Sequence, residues 1–253
     1  MHILVTNDDG ILAPGLSDLI EALAPHWRVT AVAPETEQSA MSHALTVRTP
    51  LRLIPHTDIG SNPACYGVTG TPTDCAKFAL SYLLKNDMPD LLVSGVNDGF
   101  NLGSDALYSG TVSAAMEGLF YGVPALAVSL ERYTEERSAE VLSFLVEFIR
   151  DVYEKKRFEG LLNVNFPSKG ACSWDNVKVL NQGYQRYEGV IEPRRDPQDN
   201  PYYWVAGTLM FDREEEPTDV AEIKNGHITV VALQWKQQDY GKTEEIRNIL
   251  ETR

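Results

Sequence analysis

An α/β fold built on a mostly parallel sheet is predicted by three observations. Short apolar runs alternate with segments of helical period up to about residue 129, the sequence signature of βαβ units. The runs are continuously apolar, as in strands covered on both faces. Each is followed by a loop, and in such sheets ligands sit outside the carboxyl ends of the strands.

The elements follow in order. Residues 3–6 form the first strand, and Leu16, Leu19, Ile20 and Leu23 mark a helix by their i, i+3, i+4, i+7 spacing. Residues 29–33 are the second strand, and Cys75, Phe78, Ala79, Tyr82 and Leu83 form the next helical stripe. Residues 91–94 and 125–129 are further strands, separated by the stripe Val112, Ala115, Met116, Leu119 and Phe120. Leu142, Leu145, Val146, Ile149 and Val152 mark a fourth helix, and "LLNVNFP" is one more buried run. Residues 183–211 then read as a long hairpin whose tip, "EPRRDPQDNP", is too polar and broken for a core. The aromatics flanking it, Tyr184, Tyr187, Tyr202, Tyr203 and Trp204, suit either a neighbouring subunit or the hairpin's own domain. "PTDVAEIKNG" is a capped short helix before a final strand, "HITVVALQW". No linker or repeat is visible, so residues 1–253 are expected to form a single domain with the hairpin as an arm.

Composition narrows the function. A formal charge of −14 opposes binding to a nucleic-acid polymer, which needs clustered Lys and Arg. No run approaches the roughly 18 apolar residues of a membrane span, and no basic and apolar leader is visible, so a soluble cytoplasmic protein is expected. Three separated cysteines without a C-x-x-C, and five histidines without an H-x-x-x-H, indicate neither disulfides nor a zinc site. A metal would need oxygen ligands, and a phosphorylated substrate would need positive charge from outside the composition.

The candidate chemistry lies at three strand ends. Asp8 and Asp9 end the first strand, and Gly10 permits a turn that brings them to one site. Two carboxylates so placed repel unless a proton or a cation lies between them, and Mg²⁺ or Mn²⁺ suits oxygen ligands; the plain alternative is a pair of solvated turn acids. Ser39, in "APETEQSAMSHALT", offers a neutral oxygen. The third loop, "SGVNDGFNLGSDALYSGTVSAAMEG", sets Asn97, Asn101 and Ser109 among four glycines before an amphipathic helix. Ser109, Gly110 and Thr111 form a phosphate cradle at that helix N-terminus, with ordinary N-capping as the simpler alternative.

These blocks, "ILVTNDDGILAPG", "APETEQS", "TPTDC", the glycine-rich loop, "GVPALAVS" and "LNVNFP", occur in the order seen in the SurE survival-protein family, which the chain resembles from residue 3 into the 230s. The resemblance implies a Rossmann-like three-layer core and hydrolysis of nucleoside 5′- and 3′-monophosphates in the cytoplasm, with activity on short polyphosphate in some members. It implies one divalent ion per subunit, Mg²⁺ or Mn²⁺, on Asp8, Asp9, Ser39 and Asn97. It also implies a homodimer or homotetramer assembled through the hairpin arm. Ala40 departs from the glycine found after the serine in many members.

On this reading Asp8 and Asp9 are catalytic, while Asn101, Ser109, Gly110 and Thr111 hold phosphoryl oxygens. A water nucleophile is favoured over direct attack by an aspartate, because phosphoaspartate phosphatases use D-x-D. Two rivals are a metal-dependent nucleotide-sugar transferase and a nucleotide-sensing protein without turnover.

Overall fold

The structure, a computed structural model, describes residues 1–57, 59, 64–189, 191–205, 207–211 and 217–251. Its strands are β1 (His2–Thr6), β2 (Arg28–Pro34), β3 (Leu53–His56), β4 (Cys65–Val68), β5 (Leu91–Asp98), β6 (Ala125–Leu130), β7 (Leu161–Phe166), β8 (Val177–Val179), β9 (Gln185–Glu188), β10 (Ile191–Arg195), β11 (Pro201–Val205), β12 (Thr208–Phe211) and β13 (Ile228–Leu233). The helices are α1 (Pro14–Leu23), α2 (Pro72–Phe78), α3 (Gly110–Phe120), α4 (Glu135–Ile149), α5 (Asp219–Glu222) and α6 (Tyr240–Glu251).

Nine strands make one sheet in the order β3-β4-β2-β1-β5-β6-β7-β13-β8. Pairings from β4 to β7 are parallel, while β3 and β13 each run antiparallel to a neighbour. The chain moves one way from β1 to β2 and β4, and the other way to β5, β6 and β7. The order therefore reverses between β1 and β5, the place where a crevice opens at the carboxyl ends of the strands.

Strands β1, β6 and β7 are buried along their whole length because both faces are covered, and β2 and β5 are buried in all but an end. Ile3 and Val5 pack beneath α1 and α4 with Leu16, Leu19, Ile20, Leu23 and Leu145, whereas Leu4 and Leu92 face α2 and α3 with Cys75, Val112 and Ala115. This alternation along β1 is the period-2 geometry of a strand serving two cores at once. The result is the expected three-layer α/β architecture.

Two residues expected in the core are not there. Tyr82 is 72% exposed, because Ala79–Leu83 continues α2 as a π-helix and its wider turn brings Leu80 inward instead. Phe120, the last residue of α3, is 52% exposed and meets the rings of His43 and Trp235. Strands β3, β4 and β8 and helix α6 are additions to the sequence reading.

The hairpin at 183–211 forms as an antiparallel ribbon in two stages, β9 with β12 and β10 with β11. Val190 and Ala206, which fall within it, lie outside the described residues. Its base is tied to the turn at Gly103–Leu107 by Ser104 donating to Gln185 O and Tyr187 donating to Asp105. Both β10 and β11 are exposed throughout, and α6 buries none of its residues. No described helix is long and apolar enough to cross a membrane.

Candidate functional site

Asn7 shapes the turn after β1. Its side chain accepts from Gly10 N and donates to Gly10 O, and Gly10 takes φ +106°, a conformation that glycine adopts without a Cβ penalty. Ile11 N then bonds Pro34 O at 2.7 Å, fastening the turn to the end of β2. The outcome is that Asp8 points into the protein, only 5% exposed.

What receives Asp8 is the N-terminus of α3. Thr111 donates its hydroxyl to Asp8 Oδ1 at 2.5 Å, and its main-chain N–H also supports the carboxylate. Ser109 caps the helix by accepting from Val112 N. Gly110 permits the approach: a Cβ there would lie 2.8 Å from Asp8 Cβ and 2.9 Å from its Oδ2. The anion at this helix end is thus the chain's own aspartate, favoured by unpaired N–H groups and by the helix dipole. Burial nevertheless dominates and raises the Asp8 pKa, with the Thr111 hydroxyl opposing the rise.

Asp9 is half-buried and pushed up to about 6, first by burial and then by the charge of Asp8. The Asp98 N–H stabilises its carboxylate, while the charges of Asp98 and Glu37 raise its pKa further. The contact with Asp98 brings the turn after β1 against the end of β5, one residue from Asn97. There the β5–β6 ladder shifts register between Ser94 and Asn97, with Gly95 at φ +143°. Asn97 donates Nδ2 to Gly99 O at 2.7 Å, and among the described residues no hydrogen bond takes up its Oδ1.

Ser39 is exposed and donates its hydroxyl to Glu37 at 2.7 Å. It reaches the acidic group through Glu37, and Ala40 behind it stands at φ +57°. Asn101 is buried in an amide network: its N–H donates to Asn165 Oδ1, its Nδ2 to Ser129, and its carbonyl accepts from Asn163 and Asn165. Its side chain retains one N–H beyond the bond to Ser129.

A hard divalent cation fits this donor set. Two carboxylates withdrawn from water beside further negative charge are costly without a counter-ion, and an alcohol and an amide oxygen complete an all-oxygen group. Among the described residues no group of three or more His, Cys, Asp and Glu side chains is gathered for a metal, so the set depends on Ser39 and Asn97 as much as on the aspartates. Ser39 would have to turn from Glu37 to join it.

Several supporting residues escaped the sequence reading. Fully buried Asp219 accepts from Gly103 N, Gly183 N and Val220 N, anchoring the loop that runs into α3. The Ser39 loop is strapped down by Ser42 to Leu107 O, His43 to Glu117, and Thr46 N to Asp74. Asp74 does carry a local signal, since Thr71 and Asp74 form a capping box in "TPTD".

Comparison with known proteins bears on the family and the fold. The family model described as Survival protein SurE matches residues 3–189. A protein named 5′-nucleotidase SurE from Natranaerobius thermophilus is 39% identical over 255 residues, covering 98% of each chain. Another of that name from Thermosipho africanus is 44% identical over 237 residues, 92% of this chain and 91% of its own. The crystal structure of SurE protein from Aquifex aeolicus superposes with a TM-score of 0.82 at 34% identity, covering 98% of this chain and 99% of that one.

Proposed function

This chain belongs to the SurE family, and we propose on that premise that it is a metal-dependent 5′-nucleotidase releasing phosphate from nucleoside monophosphates. Asp8, Asp9, Ser39 and Asn97 would hold one Mg²⁺ or Mn²⁺. When bound, the ion supplies Lewis-acid polarisation of a phosphoryl oxygen and the positive charge that a chain of net −14 lacks. The observation that carries the proposal is Asp8, buried and held by Thr111 where the order of strands reverses.

The chain's own groups divide the remaining work. Thr111 fixes the orientation of Asp8, and Gly110 lets substrate and carboxylate share the mouth of α3. Asn101, Ser109, Gly110 and Thr111 would offer donors to the phosphoryl oxygens, with the helix N-terminus favouring their charge. Water is the nucleophile: its oxygen bonds phosphorus as the ester bond to the ribose oxygen breaks, and the proton that the water loses passes to the departing alkoxide. Direct attack by an aspartate is disfavoured because phosphoaspartate phosphatases use D-x-D, whereas Asp8 here is followed by Asp9 and Gly10.

The same reading extends to 3′-monophosphates and short polyphosphate as further substrates, and to a cytoplasmic site of action. Three cysteines without a C-x-x-C accord with a reducing compartment. Residues 1–253 act as one domain, since β13 lies between β7 and β8 in the common sheet. The exposed aromatic ribbon and α6 support a homodimer or homotetramer.

The test is phosphate release from AMP and GMP with Mg²⁺, Mn²⁺ or chelator, for wild type and Asp8→Asn. Release that needs metal and is lost in the variant is expected. Folded wild-type protein that releases none with any metal would overturn the reading.

A further inference from the structure

A cleft of 450 Å³ runs along α3 away from the carboxylates, within the size range of small-molecule sites. Ser113, Met116 and Phe120 form one wall, and the segment carrying Trp235 after β13 forms the other. The cleft begins where the phosphate cradle ends: Ser113 N bonds Ser109 O, and Ser42, on the shared rim, bonds Leu107 O and Tyr108 O. Met116 stands about 9 Å along the helix from Gly110, at 1.5 Å per residue.

The lining is aromatic, and the fold leaves it uncovered. Phe120 and Trp235 are 52% and 53% exposed, with ring centroids 6.1 Å apart at 46°. The His43 ring lies 5.8 Å from Phe120 and is held in place by donating to buried Glu117. Concave, exposed aromatic faces attract a flat heteroaromatic ring, which stacks without regard to its sequence of donors and acceptors. The amide side chains of Gln182 and Gln234, also in the lining, offer uncharged donors and acceptors to the edge of such a ring.

We propose that this cleft receives the nucleoside of the substrate, with its base against Phe120 and Trp235 and its phosphate at the Asp8 end of α3. The proposal rests on the nucleotidase reading and adds to it the means of preferring nucleotides over other phosphomonoesters.

The test compares kcat/KM for AMP with kcat/KM for ribose 5-phosphate, which has no base. Phe120→Ala and Trp235→Ala are expected to lower the AMP to ribose 5-phosphate ratio roughly tenfold each, through KM for AMP. Phe120→Tyr, which keeps a stacking face, is expected to preserve the ratio. A ratio unchanged in both alanine variants overturns the proposal. Should wild type release phosphate from neither compound, the nucleotidase reading itself fails, and the cleft is then judged by adenosine titration. Saturable fluorescence quenching that is lost in Trp235→Phe would uphold it. No such quenching, or a Trp235 signal that follows protein concentration instead of adenosine, would overturn it.

Discussion

Thr111 donates to Asp8 at 2.5 Å across 103 residues of sequence, joining the first loop of the sheet to the N-terminus of α3. A hydrogen bond to a charged group contributes about 1.5–3 kcal/mol. If it holds Asp8 in its working orientation, Thr111→Val should lower kcat for AMP roughly 10- to 100-fold, while Thr111→Ser retains most of it. Phosphate release with both variants checks this, and equal losses in the two would refute the role of the hydroxyl.

A divalent cation should stabilise the fold, because it would relieve buried Asp8 and the half-buried Asp9, whose carboxylate is pushed up by burial and by the charge of Asp8. At a concentration 100 times its dissociation constant the gain is about 2.7 kcal/mol, or roughly 5–10 °C in Tm for a chain of this size. Asp9→Asn should shrink that increment and raise the Tm measured in chelator, since one of the repelling charges is gone. Thermal melts with Mg²⁺, Mn²⁺ and chelator decide the point; an undiminished increment in the variant removes Asp9 from the metal group.

Much of this arrangement was legible residue by residue, and little of it as contacts. Strands β1, β2, β5, β6 and β7 are continuous apolar runs because both faces are buried, and Leu16, Leu19, Ile20 and Leu23 of α1 are all buried as their spacing implies. Asp8 and Thr111 each stand out locally, one as an acid at a strand end and the other as a hydroxyl at a helix start. Their bond is tertiary, and no window of sequence contains both. Asp219 is hidden for the same reason: its partners Gly103 and Gly183 offer only main-chain N–H groups. Strand β3 is half-exposed with Pro55 in it, β4 has only four residues including Gly67, and α6 is polar enough to lack a core stripe. Each falls below what periodicity resolves.

Ala40 holds a left-handed conformation, φ +57°, next to Ser39. That costs an L-residue about 1–2 kcal/mol, while glycine would enlarge the unfolded ensemble by about 0.4–1 kcal/mol. Ala40→Gly should therefore stabilise the protein by about 0.5–1 kcal/mol, read as a higher urea midpoint. A lower midpoint would show that the alanine conformation is not strained.

Asp219 satisfies three main-chain donors from three segments, among them the loop leading into α3. Asp219→Ala would leave those N–H groups unpaired in a buried setting and should cost about 3–5 kcal/mol. Asp219→Asn keeps one acceptor oxygen and should cost less. Denaturant unfolding of both variants tests the ranking, and an alanine variant as stable as wild type would exclude the anchoring role.

His2 gives the fold a dependence on pH whose sign follows from its partners. Arg28 can only donate, so the 2.7 Å contact makes His2 Nδ1 the acceptor and leaves Nε2–H to donate to Thr30. Protonation would destroy that acceptor and set two cations against each other. Burial and then the charge of Arg28 hold the His2 pKa below its ordinary value, although Asp87 and Asp90 pull it upward. As pH falls from about 6.5, the unfolded chain takes up its proton first. The stabilisation from neutral His2 is therefore complete above that pH and is lost on the way down to the folded pKa. The stability difference between wild type and His2→Gln, measured by denaturant unfolding, should shrink from pH 7.5 to pH 5. A difference that stays constant or grows would mean that His2 is protonated in the folded state.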